Sequence, residues 1–136
     1  AATVYAVCRI QSIARTIEEV VDEARATKAE LTTAYDALNT ELGLPTGPVD
    51  PAEYLPRYAS QLGVEADIER CAREYVTLLQ ETGTLGGKNP SGVAAACLYT
   101  AAVDDGADVT QREVADLADV SRMTISSTVS DIKVVR

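Results

Sequence analysis

A chain of 136 residues, 46% hydrophobic and 24% charged, has the balance of one globular domain or one and a half small ones. Its net charge of −9 speaks against a free-standing nucleic-acid binder, which carries a basic excess. No apolar run reaches the roughly 18 residues of a membrane span, and three scattered cysteines without any histidine exclude the usual zinc spacings.

Ala1 to Ile10 reads as an apolar helix without the basic leader or cleavage pattern of a signal peptide, so the chain is expected to begin inside an element, as a fragment would. Thr16 to Ala24 reads as a short helix, with Thr16 and Glu19 spaced as a capping box. Thr27 caps a longer helix to Leu42, with Leu31, Tyr35, Leu38 and Leu42 on one face and Gly43 at its end. From Gly43 to Pro51, three Pro and two Gly break helices on both sides, which makes 44–50 a linker. Asp50 before Pro51 is a helix start.

Pro51 to Leu62 then presents Tyr54, Leu55, Tyr58 and Leu62, and Gly63 stops it. Glu65 to Glu81 presents Ile68, Cys71, Ala72, Tyr75, Leu78 and Leu79. Pro90 to Val103 is Ala-rich and apolar all round, as a buried central helix must be. Thr110 to Leu117 is short, capped by Thr110 with Glu113, and Ser121 caps the last helix. No segment reads as a strand. Six Tyr stand with no Phe or Trp, so the core must use Ala, Val, Leu and Ile, whose small size favours close helix packing. Cys8, Cys71 and Cys97 are expected to be small buried hydrophobes in a reducing cytosol.

The chain also echoes itself. A shift of 94 positions lays Tyr5 on Tyr99, Thr16 on Thr110, Glu19 on Glu113, Val20 on Val114, Asp22 on Asp116 and Ala24 on Ala118. Thr27 then meets Ser121, Lys28 meets Arg122, Leu31 meets Ile125 and Leu38 meets Ile132. The reading is all-α: the tail of one repeat over 1–43, a linker over 44–50, and a complete five-helix second repeat over 51–136.

Thr110 to Val129 has the pattern of a helix-turn-helix, with Val114 and Ala115 turned inward and a tight turn at Asp119 and Val120. Ile125, Val129 and Ile132 face the core, which leaves Arg122, Met123, Ser126, Ser127, Ser130 and Lys133 outside. Such a helix lies in a major groove with its first residues at base edges. Arg122 suits guanine or phosphate, Ser126 and Ser127 suit base or phosphate, and Met123 suits a thymine methyl group. An ordinary helical corner with a solvated outer face fits the same pattern. From Asp119 onward, Arg122, Lys133 and Arg136 outnumber Asp119 and Asp131, so the only locally positive stretch is this one.

In the loop from Gly83 to Gly92, Gly87-Lys88 has the wrong spacing for a nucleotide phosphate loop, and Asn89 replaces the Ser or Thr that would hold magnesium. Lys88 and the amides of Ser91 and Gly92 suit a DNA backbone phosphate instead. A solvated Lys in a Gly-rich loop is the bland alternative.

These residues together resemble a known family. Gly87-Lys88-Asn89-Pro90-Ser91-Gly92-Val93-Ala94-Ala95-Ala96-Cys97-Leu98-Tyr99 is similar to the signature of archaeal transcription initiation factor B and its eukaryotic counterpart, factor IIB. Tyr54 to Gly63 resembles the start of that family's second cyclin-like repeat. Thr110 to Ala115 resembles its helix-turn-helix, and Cys8-Arg9 through Arg15-Thr16 resembles the end of its first repeat.

The resemblance implies a cyclin-like helical bundle without enzymatic activity. It also implies three partners: promoter DNA, TATA-binding protein and RNA polymerase. DNA contacts are implied at Lys88, Ser91, Gln111, Arg112, Arg122, Met123, Thr124, Ser126 and Ser127, and contacts to TATA-binding protein at Arg9, Arg15 and Lys28. No cofactor belongs to this stretch, since the family's zinc ribbon is expected only in the full-length protein. A cytoplasmic, nucleoid-associated archaeal protein is implied, with neither membrane nor small-molecule partner. Low Lys with abundant Asp and Glu also resembles proteins of salt-loving archaea.

Ser126 stands where typical members carry Arg, and Val129 where they carry an aromatic. Ala29 and Thr33 replace basic residues. A paralogue with relaxed or altered upstream specificity is the expectation. The rival readings are a cyclin-type adaptor that binds proteins without DNA contact, and a stand-alone helix-turn-helix repressor.

Overall fold

A computed structural model describes residues 1–24, 27–43 and 49–136. The chain divides into two compact units, Ala1–Pro48 and Val49–Arg136. Among the described residues every regular element is helical. The expected linker at 44–50 falls largely on 44–48, outside the described residues.

The first unit holds α1 (Ala2–Ile10), α2 (Ile17–Glu23) and α3 (Lys28–Leu42). Thr16 and Thr27 each accept the amide three residues on, and Glu19 and Glu30 reach back, so both helices open with a capping box. Tyr5, Val20 and Leu31 form the core, with Ile17, Val21 and Tyr35 against it. The rings of Tyr5 and Tyr35 meet edge to face at 4.8 Å. Gly43 ends α3 at φ +55°, the left-handed turn that an L side chain resists. Leu42, expected on the buried face, is exposed.

The second unit begins with a short 3₁₀ turn (Pro51–Tyr54), then α4 (Leu55–Leu62), α5 (Ala66–Glu81), α6 (Pro90–Asp104), α7 (Gln111–Ala118) and α8 (Arg122–Val135). The single helix expected from Pro51 to Leu62 is therefore two elements. Pro56 has no amide to give Ala52, so the Leu55 amide takes that carbonyl in the tighter i→i+3 pattern, and the α-helix starts afterwards.

Helix α6 is the axis of this unit. From Ser91 to Leu98 every residue is buried, and Thr100, Ala101 and Ala102 follow. Asn89 caps it through a 3.0 Å bond from the Ser91 amide, and Pro90 stands at its first position. Against it pack Tyr54, Leu55 and Tyr58, the α5 stripe Ile68, Ala72, Val76 and Leu79, and the inner faces of α7 and α8. Cys97 is buried, and burial pushes its thiol up to about 12. Cys8 and Cys71 are only half-buried, which corrects the expectation of three core cysteines.

The repeat is visible in the helices. Thr16 with Glu19 and Thr110 with Glu113 form the same capping box, Val20 and Val114 are both buried, and so are Leu31 and Ile125.

Candidate nucleic-acid interface

The expected helix-turn-helix segment consists of α7, the three residues Asp119 to Ser121, and α8. Val114, Ala115 and Ala118 of α7 are buried, as are Ile125, Thr128, Val129 and Ile132 of α8. Asp119 adopts φ +55° in the turn, a conformation that Asp tolerates better than most L residues. Its neighbour Val120 returns its amide to the Ala115 carbonyl at 3.0 Å. Ser121 then caps α8 by accepting the Thr124 amide at 3.2 Å.

Two contacts fix where α8 starts. The Ser91 hydroxyl, buried at the head of α6, donates to the Ala118 carbonyl at 3.0 Å. A Cβ on Gly92 would come within 3.3 Å of the Thr124 methyl and 3.5 Å of Val120, so a glycine lets α6 and the turn approach this closely. At its other end, α8 is held by a cluster in which Tyr75 donates to Asp104 at 2.6 Å and Arg136 reaches both. Desolvation first, then the Asp104 hydrogen bond, push the Tyr75 phenol up to about 12.

On the outside of α8, Arg122, Met123, Ser126, Ser127, Ser130 and Lys133 are exposed, Met123 by 82%. Arg122 to Lys133 spans about 16 Å of helix axis, and a helix of this kind fits a major groove about 12 Å wide. The charges on this surface are selected. In the second unit Arg70 pairs with Asp67, Arg73 with Glu69, Lys88 with Asp131 and Arg136 with Asp104. The Arg57 guanidinium lies 5.2 Å from the Tyr58 ring centre and 5.7 Å from that of Tyr54. Among the described residues Arg112, Arg122 and Lys133 enter no ion pair, and all three belong to the helix-turn-helix.

The expected contact residues divide accordingly. Arg112, Arg122, Met123, Ser126 and Ser127 are on the surface. Ser91 is not: it is 1% exposed, its amide answers Asn89 and its hydroxyl holds Ala118, so it positions α7 rather than meeting a phosphate. Thr124 is half-buried, with its methyl against Gly92 and its hydroxyl 3.0 Å from that of Ser121. Gln111 lines a recess of about 80 Å³ with Tyr99, Val129, Lys133 and Arg136, near the far end of α8 from Met123. Lys88, expected at a backbone phosphate, is ion-paired with Asp131 at 2.7 Å.

In the first unit Arg15 pairs with Glu19 at 3.2 Å and Lys28 with Glu18 at 2.9 Å, so the expected basic patch is internally compensated there. The Lys28 hydrogen bond is the main reason that the Glu18 carboxyl lies below its ordinary range. Arg9 is half-buried on α1.

Sequence reasoning missed Asp131 as the partner of Lys88 and missed the Tyr75–Asp104–Arg136 cluster. Nothing in either spacing announces a pairing across 43 or 61 positions. No group of three or more potential metal ligands gathers among the described residues, and no helix there is long and apolar enough to cross a membrane.

The arrangement has counterparts. The family described as "Transcription factor TFIIB repeat" matches residues 45–134. Transcription initiation factor IIB 1 of Halobacterium salinarum is 55% identical over 132 residues, 97% of this chain and 46% of that protein. Transcription initiation factor IIB 3 of the same organism is 44% identical over 91% of this chain and 39% of its own length. Transcription initiation factor IIB of Archaeoglobus fulgidus is 38% identical over 92% of this chain and 38% of its own length. The chain thus spans less than half the length of these relatives. Its cyclin-like helical bundle, its signature around Lys88 and its match over 45–134 place the chain in the transcription factor TFIIB repeat family.

Proposed function

We propose that this chain is the promoter-binding core of an archaeal transcription initiation factor. Its second unit lays α8 in a major groove upstream of a TATA box, and its first unit meets TATA-binding protein. Arg122 engages guanine or phosphate, Met123 a thymine methyl group, and Ser126 and Ser127 base edges or phosphates. Arg112, Gln111 and Lys133 contact the backbone to either side. The work is binding and positioning, without a catalytic step. RNA polymerase recruitment belongs to the whole factor, with a zinc ribbon outside this stretch, in an archaeal cytoplasm at the nucleoid.

One observation carries the reading. In a chain of net charge −9, the second unit's cations without an ion pair or ring contact all sit on the helix-turn-helix. A protein-binding adaptor has no need to reserve them there. Ser126, lacking the fork of an Arg, fits relaxed discrimination at one base pair.

The test is a mobility shift on a TATA-containing promoter duplex with cognate TATA-binding protein, comparing the chain with Arg122→Ala and Ser126→Ala. Loss of the ternary shift with Arg122→Ala supports the reading. Full binding by both variants turns the chain into a protein adaptor, and a dimeric shift without TATA-binding protein turns it into a repressor.

A further inference from the structure

Lys88 and Asp131 carry an inference that rests on the reading of α8 as the DNA-facing helix. The Lys88 ammonium lies 2.7 Å from the Asp131 carboxylate, with side chains 22% and 35% exposed. The two residues join different elements: Lys88 ends the loop into α6, and Asp131 stands on the second half of α8. Asp131 follows Ser127 by one helical turn and Thr124 by two, so the pair flanks the surface that carries Arg122, Ser126 and Ser127.

We propose that Asp131 silences Lys88 as a phosphate contact and thereby flattens the salt dependence of DNA binding. A phosphate that approaches this ammonium also faces the carboxylate 2.7 Å from it, so repulsion offsets much of the attraction. An ammonium already neutralised by protein displaces no net counterion from the duplex, so its contact adds nothing to the salt slope. Partial burial keeps the pair closed as ionic strength rises, because screening acts mainly on exposed charges. Arg112, Arg122 and Lys133 remain as the second unit's unpaired cations. Few counterions are then released on binding, and the affinity that remains comes from hydrogen bonds, apolar contact and the partner protein. Such a surface holds DNA in concentrated salt better than one with many open lysines.

Asp131→Asn tests this, since an amide oxygen still accepts from the ammonium and keeps the loop tethered while the charge goes. Affinity of the chain for a labelled promoter duplex with TATA-binding protein is measured by fluorescence anisotropy across a salt series. Asp131→Asn is expected to tighten binding several-fold at low salt and to steepen the plot of log affinity against log salt by about 0.9. Adding Lys88→Ala to Asp131→Asn is expected to abolish both changes.

A gain of equal size with and without Lys88 overturns the proposal, because any lost negative charge near DNA would then suffice. An unchanged slope overturns it too. Arg122→Ala separates the failures: if it weakens binding while Asp131→Asn does nothing, only the silencing falls, and if neither matters, the DNA-facing reading falls with it. Asp131→Thr, of different shape, must give the same steepening, and chemical unfolding of each variant confirms that the fold is kept.

Discussion

The Ser91 hydroxyl donates a buried hydrogen bond of 3.0 Å to the carbonyl of Ala118, and this joins the first turn of α6 to the last residue of α7. A carbonyl in the last turn of a helix has no intrahelical partner, and here burial denies it water as well. Ser91→Ala leaves that carbonyl unsatisfied, so stability should fall by about 1–3 kcal/mol in chemical unfolding. If Ser91 served as a DNA contact instead, the variant would weaken DNA binding and leave the unfolding midpoint where it was.

Gly92 tests the same junction from the steric side. Val at 92 pushes carbon toward the Thr124 methyl, which an added Cβ already meets at 3.3 Å, and toward Val120. Replacing a helical glycine gains about 0.5–1 kcal/mol with Ala, and less with the β-branched Val. Overpacking in a rigid corner costs about 1–3 kcal/mol and outweighs it. Gly92→Val is expected to lower stability and to displace the start of α8, weakening promoter binding as well. A variant with unchanged unfolding and unchanged affinity would mean that the turn yields freely.

The surface of α8 predicts two opposite effects on DNA. Arg122→Ala removes one unpaired cation, so affinity should fall at every promoter sequence and the salt slope should become shallower by about 0.9 if Arg122 meets phosphate. If it meets guanine, the loss is confined to sequences with that base, about 1–3 kcal/mol. Ser126→Arg should gain about 1–3 kcal/mol of discrimination at one base pair, read as a sharpened preference in a promoter-library selection. No change in preference would place position 126 off the base edges.

Much of this is legible in the sequence, for identifiable reasons. The capping boxes at Thr16 and Thr110 are local signals, complete within four residues, and both occur as read. The burial of α6 follows from a run with no polar face. What escaped depends on distant chain segments. Lys88 reads as an open phosphate contact because its partner stands 43 positions away, and Ser91 reads as a phosphate ligand because nothing local places it under Ala118. The split of the helix at Pro51 to Leu62 is readable in principle, since Pro56 has no amide to offer the Ala52 carbonyl.

Alkaline pH reports on the cluster at the end of α8. Burial and the Asp104 hydrogen bond raise the Tyr75 phenol from 10.0 to about 12, so the folded state holds its proton more tightly than the unfolded chain. Between those values the unfolded state binds fewer protons, so the phenol's contribution to stability is whole below pH 10.0 and declines as pH rises toward about 12. The Cys97 thiol, raised by burial from 9.0 to about 12, contributes a decline of the same sign that begins earlier. Tyr75→Phe removes only the phenol's share. Its unfolding midpoint should therefore fall less steeply with pH above 10.0 than that of the parent chain, while the decline between 9.0 and 10.0 persists. Phenolate absorbance in the folded protein checks the assignment directly: burial raises the Tyr5 phenol as well, so the late phase holds more than one tyrosine, and it must lose one tyrosine's amplitude in Tyr75→Phe. Identical profiles for the two proteins would mean that Asp104 and Arg136 hold α8 without help from the phenol.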